Sequence, residues 1–203
     1  MRQRSIAWTK DGAAGVEFVE VTFDDRALDA AGVAIGGDPM AYRADYHLET
    51  GPEFVTARLE LTVAGEGWWR TLDLRRDRSG GWEASATSGG EPPVPLPPPS
   101  GDLGEVEGAL DCDLALSPLT NTMPVLRHGL LEGAGAVELT MAWVSLPDLA
   151  VHASSQRYSA VRDLPDGRRL IRFESLDSSF TADLTCDRDG LVVDYPELGR
   201  VLG

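Results

Sequence analysis

The chain has 203 residues, 42% hydrophobic and 25% charged, an ordinary globular composition that excludes disorder along its whole length. Eighteen basic against thirty-three acidic side chains leave a formal net charge of −15 at pH 7. A surface that negative repels phosphate backbones at long range and speaks against nucleic acid as a partner.

No apolar run of signal-peptide length follows Met1–Lys10, and no stretch approaches the roughly 20 apolar residues of a membrane span. The expectation is a cytoplasmic protein. From there the dominant pattern is alternation. Val19, Val21 and Phe23 oppose Glu20 and Thr22, and Val55, Ala57, Leu59, Leu61 and Val63 oppose Thr56, Arg58, Glu60 and Thr62. Such segments predict strands with one buried and one solvated face. Trp68 and Trp69 are adjacent in the next strand and must point to opposite sides. One plugs the core, and the other lies outside or lines a groove for a sugar or an acyl chain.

A proline-rich run, about 91–101, follows. Its polyproline II geometry offers no ladder donors, and a semi-rigid connector is favoured over a docking ligand. Leu110, Cys112, Leu114 and Leu116 then alternate with Asp111, Asp113 and Ala115. The stretch after Ser117 breaks the pattern. Pro124 fits only a first helical turn, so a helix is expected over about 122–131, weakened at Gly129 and ended by Gly133 and Gly135. Val125, Leu126, Leu130 and Leu131 are not confined to one stripe, which predicts a buried helix with the sheet wrapped around it. Alternation resumes at 137–143, 180–186 and 191–195, with hairpin turns at 77–81, 165–167 and 187–190. The expected chain is nearly all β, antiparallel, and a single domain over 1–203.

The chemical candidates are few. Gly-x-Ser-x-Gly and a lysine-bearing phosphate loop are both missing, and Lys10 is the only lysine. Cys112 and Cys186 fall on apolar faces and read as reduced core thiols. His47, His128 and His152 have no metal-ligand spacing, so neither a metal nor another cofactor is expected. Asp111 and Asp113 share a strand face. A carboxylate pair there could serve hydrolysis, although a partner-holding role is favoured. Arg127, on an enclosed helix, must find carboxylates among Asp111, Asp113, Asp183 and Asp194. It is either an internal ion pair or an anchor for a headgroup. Asn121 is a helix cap or a ligand contact.

Asp111-Cys112-Asp113-Leu114 followed by Ser117-Pro118-x-Thr120-Asn121-Thr122-x-Pro124 resembles the signature of the bacterial glycolipid-binding family. Trp68-Trp69 leading to Gly81-Trp82, Leu146-Pro147-Asp148-Leu149 to Gln156-Arg157-Tyr158, and Ala182-Asp183-Leu184 to Tyr195-Pro196 are similar in order. Leu126 and His128 depart from the family's pattern, in which a basic and an aliphatic residue stand there. The resemblance implies a long antiparallel sheet curled as a spiral β-roll around a single central α-helix, the expected partners being a second copy of the chain (a homodimer) and a glycolipid or acyl-chain ligand. The residues then expected to meet the ligand are Trp68, Trp69, Asn121, Arg127 and Tyr158. The rival expectations are a hydrolase of carbohydrate or lipid esters using Asp111, Asp113 and Asp183, and a structural homodimer with a filled core.

Overall fold

A computed structural model describes residues 1–11 and 15–202. Its strands are β1 (Arg2–Lys10), β2 (Gly15–Asp24), β3 (Ala27–Gly36), β4 (Tyr42–Thr50), β5 (Thr56–Gly65), β6 (Trp68–Arg76) and β7 (Trp82–Gly90). They continue as β8 (Asp111–Leu114), β9 (Val137–Val144), β10 (Val151–Asp163), β11 (Arg169–Ser175), β12 (Thr181–Cys186), β13 (Val192–Tyr195) and β14 (Gly199–Val201). The one α-helix among the described residues, α1, spans Thr122–Arg127.

All the strands join one sheet in the order β7-β6-β5-β4-β3-β2-β1-β14-β13-β12-β11-β10-β9-β8. Two meanders are thus sewn together along the β1–β14 seam, where Trp8 pairs with Val201. Trp8 is fully buried there and its indole donates to the Val192 carbonyl at 2.7 Å. The sheet curls until its β8 edge meets β5. Thr56 N donates to the Leu110 carbonyl, and Cys112 N donates to the Thr56 hydroxyl, both at 3.0 Å. This tuck blunts an edge that would otherwise offer unpaired backbone groups.

The predicted faces hold where the strands are regular. Val19, Val21 and Phe23 point inward, as do Leu59, Leu61 and Val63. At the start of β5 the parity reverses: Thr56 is buried, because a register shift opposite Glu49–Thr50 turns it inward to meet Cys112. The hairpins at 77–81, 165–167 and 187–190 connect β6–β7, β10–β11 and β12–β13. Close approach of aromatic rings to glycine is a recurring device. At Gly32, opposite Tyr46, an added Cβ would lie 2.2 Å from the Tyr46 ring.

The sheet is not wholly antiparallel. β8 and β9 run parallel, Cys112 beside Ala142, and a parallel pair needs a crossover connection. That connection contains α1, flanked by 3-10 turns at Leu119–Asn121 and Leu130–Glu132. The helix is shorter than expected. Gly129 at φ 62° ends it, and Leu130 and Leu131 belong to a separate turn. Its burial on all sides has a direct cause. Met123 joins the core enclosed by β1–β9, whereas Val125 joins a second core of Tyr158, Ile171, Phe173, Leu184 and Val192. The helix is a wedge between two apolar clusters.

The 91–101 run passes from β7 toward a 3-10 turn at Leu103–Val106. The buried Arg70 guanidinium donates to the Leu96, Pro97 and Asp148 carbonyls, and Ser100 N donates to the Leu149 carbonyl.

Candidate functional site

Curling the second meander around the crossover leaves a cleft of about 630 Å³, within the roughly 300–1,000 Å³ range of small-molecule sites. Its walls come from β8, β9, β10, β11, β13 and the segment that leads into the helix. Exposed Leu116, Asp177 and Ser178 stand at its opening to solvent.

One wall is aromatic. Phe173, Phe180 and Tyr195 form a triangle with ring centroids 6.0, 6.0 and 6.3 Å apart. Trp143 and His152 add a second pair at 6.2 Å. Spacings of this kind let aromatic rings pack edge to face or offset.

The floor is polar and internally bonded. The Thr120 hydroxyl donates to Asp113 Oδ1 and Gln156 Nε2 donates to Asp113 Oδ2, each at 2.7 Å. The Tyr158 hydroxyl lies 2.9 Å from Asn121 Oδ1 and 3.0 Å from Gln156 Oε1, and its single proton serves one of them at a time. Burial pushes the Asp113 carboxyl above the usual range, and the Asp111 charge adds to it, against the two bonds it accepts. Burial likewise raises the Tyr158 hydroxyl, which stays protonated.

The loop at the cleft's rim is held from behind. Leu116 sits at φ 62°, a left-handed conformation that disfavours a residue with a Cβ. Lys10 Nζ donates to the Leu116 carbonyl and also pairs with Glu17. The Ser117 and Tyr46 hydroxyls donate to Glu17 Oε1 at 2.6 and 2.5 Å. Glu17 falls on the inward face of β2, one alternation before Val19, and is only 1% exposed.

Five residues were expected to meet the ligand, and the fold separates them. Asn121 lines the cleft. Tyr158 is wholly buried behind it, bonded to Asn121. Asn121 does not cap the helix through its side chain; its amide donates to the Pro118 carbonyl at 3.3 Å. Trp68 and Trp69 lie on β6, away from the cleft walls. Trp68 is 3% exposed and Trp69 45% exposed, on opposite faces. Arg127 pairs with Asp111 through both Nη atoms, Nη1 to Oδ1 at 2.6 Å. Of the three carboxylates named for hydrolysis, only Asp113 lines the cleft. Asp111 is held by Arg127, and Asp183 pairs at 2.8 Å with Arg172 on an exposed face. The aromatic triangle was missed because its members come from β11, the β11–β12 hairpin and β13. The register across three strands collects them, and the one local hint was that Phe180 and Tyr195 each sat on an apolar face.

Register also gathers one group that spacing did not show. Asp29, His47 and Glu49 place their donor atoms within 4.8 Å of one another on the outer face, His47 Nε2 lying 2.9 Å from Asp29 Oδ2. Among the described residues, no helix is long and apolar enough to cross a membrane.

One curled sheet, a short buried crossover helix and a ligand-sized cleft define a spiral β-roll. The chain belongs to the family described as "Putative glycolipid-binding", which matches residues 5–200. It is also similar to the crystal structure of a DUF1089 family protein from Pseudomonas aeruginosa. The two are 25% identical, 92% of each chain is covered, and the TM-score is 0.68. No curated protein matches the chain.

Proposed function

We propose that the protein is a non-catalytic binder of a glycolipid or a similar amphiphile, held in the cleft between the crossover segment and β8–β13. The observation that carries this reading is a single cleft with both an aromatic wall and a hydrogen-bonding floor. Each methylene moved from water onto the aromatic wall contributes about 0.8 kcal/mol. Asn121 meets the ligand, with Tyr158 fixing its amide from behind. Non-catalysis is supported by the fate of the carboxylates, since Asp111 and Asp183 are each neutralised by an arginine. A cytoplasmic setting is supported by two buried free thiols, Cys112 and Cys186. A homodimer is supported by a strip of apolar side chains on the outer face of β2 and β3, where exposed Val16 faces exposed Ile35 and exposed Phe18 faces half-buried Val33.

Native mass spectrometry of the freshly purified protein tests the reading. A retained mass in the glycolipid range, lost on organic extraction and regained on adding the extract back, is expected. Protein that is ligand-free in repeated preparations, with no thermal shift on adding glycolipids, contradicts it.

A further inference from the structure

We infer that the cleft's polar floor takes an uncharged, hydroxyl-rich headgroup and rejects an anionic one, because Asp113 faces the ligand with no cation beside it. The inference rests on the proposed binding reading and narrows its ligand class. Among the described residues, the cleft walls carry no arginine or lysine, whereas Asp113 and Asp177 are both present. The cations that reach the neighbouring segment are engaged elsewhere. Arg127 is held by Asp111 on the same strand as Asp113. Lys10 touches the rim only at the Leu116 carbonyl, and its charge is matched by Glu17, with its side chain 5% exposed.

The floor's remaining bonding capacity suits hydroxyls. Each Asp113 oxygen already accepts one bond and has a lone pair left for a donor. The Asn121 amide donates one N–H to Pro118 and has a second to offer. A sugar supplies both donors and acceptors. A phosphate, sulfate or carboxylate headgroup supplies acceptors and a charge of the same sign as Asp113. Like charges at contact distances repel strongly once partly removed from water.

The test compares dodecyl β-D-glucoside with dodecyl β-D-glucuronide, which share tail and ring and differ only at C6, a hydroxymethyl group in the first and a carboxylate in the second. Binding is followed by titration calorimetry below micelle-forming concentrations and at 0.15 M salt, where the diffuse field of the chain is screened beyond about 8 Å. The glucoside is expected to bind at least about tenfold tighter. Asp113→Asn should shrink that ratio to about threefold or less, since the variant removes the local charge. Should that variant not fold, Ser154→Arg, a substitution in the cleft wall, is expected to shift preference toward the glucuronide. Equal affinities, a glucuronide preference, or an undiminished ratio in Asp113→Asn overturn the inference and leave amphiphile binding standing. Binding of neither compound overturns the proposed function, and this inference with it.

Discussion

Arg127 on the crossover helix and Asp111 on β8 clasp each other through both Nη atoms and both carboxylate oxygens, with side chains only 7% and 1% exposed. Arg127 Nη1 also reaches the Phe54 carbonyl at 3.4 Å, near the end where β8 tucks against β5. The pair therefore ties the helix to the closing edge of the roll.

Breaking that pair leaves a buried carboxylate without its cation. Arg127→Met is expected to lower unfolding free energy by about 3–5 kcal/mol, whereas the double variant Arg127→Met with Asp111→Leu should lose much less. Denaturant titration of the single and double variants checks this. A single-variant loss below about 1 kcal/mol would show that the pair is not structural.

Asp113 gives the protein a signed pH dependence. Burial raises its folded-state value above the ordinary carboxylate value, so between the two the native state holds more protons than the unfolded chain. Its contribution to stability is therefore lost as pH rises through that window. The melting temperature of Asp113→Asn minus that of the native sequence should grow across the window and level off above it. Asp111 carries a raised value too, and removing the neighbouring Asp113 charge eases its ionisation, which adds to the difference with the same sign. A difference independent of pH contradicts this assignment.

The single lysine provides a direct report on the rim loop. Lys10 is enclosed by Glu17 and the Leu116 carbonyl, while the N-terminal amine is largely exposed. Brief treatment with an amine-reactive ester should add one label to the folded protein and two after unfolding, read by mass spectrometry. Ready labelling of native Lys10 would mean that the rim is not anchored as described.

Burial pushes both thiols up to about 12, and only a thiolate attacks. Cys112 and Cys186 should stay silent toward an aromatic disulfide reagent at neutral pH and react together on unfolding. Rapid reaction of either in the native protein would contradict their placement in the core.

Much of the strand pattern was readable because period-2 alternation is a local signal. Val19–Phe23, Leu59–Val63 and Ala182–Cys186 bury the residues that alternation selects. The parallel β8–β9 pair was not readable, since its direction is set by how the crossover through α1 returns the chain and not by the residues of β8. Alternation places Glu17 on the same face as Val19, yet nothing local shows what would satisfy a buried carboxylate there. Its partners Tyr46 and Ser117 lie 29 and 100 positions away, and only the closed roll brings them to it. The cleft was hidden for the same reason. Asp113, Gln156 and Phe173 are neighbours through register, so the tryptophan pair on β6 drew notice while the aromatic triangle did not.

The proposed binding mode lays an amphiphile's tail against the Phe173–Phe180–Tyr195 wall. Photo-crosslinking with an alkyl glucoside carrying a diazirine at the chain end, followed by peptide mapping, tests it most directly. Adducts concentrated on Phe173, Phe180, Tyr195 and Leu198, and competed away by unlabelled alkyl glucoside, are the expected result. Adducts scattered over the outer face of β2 and β3, or labelling that competitor leaves unchanged, would contradict the account.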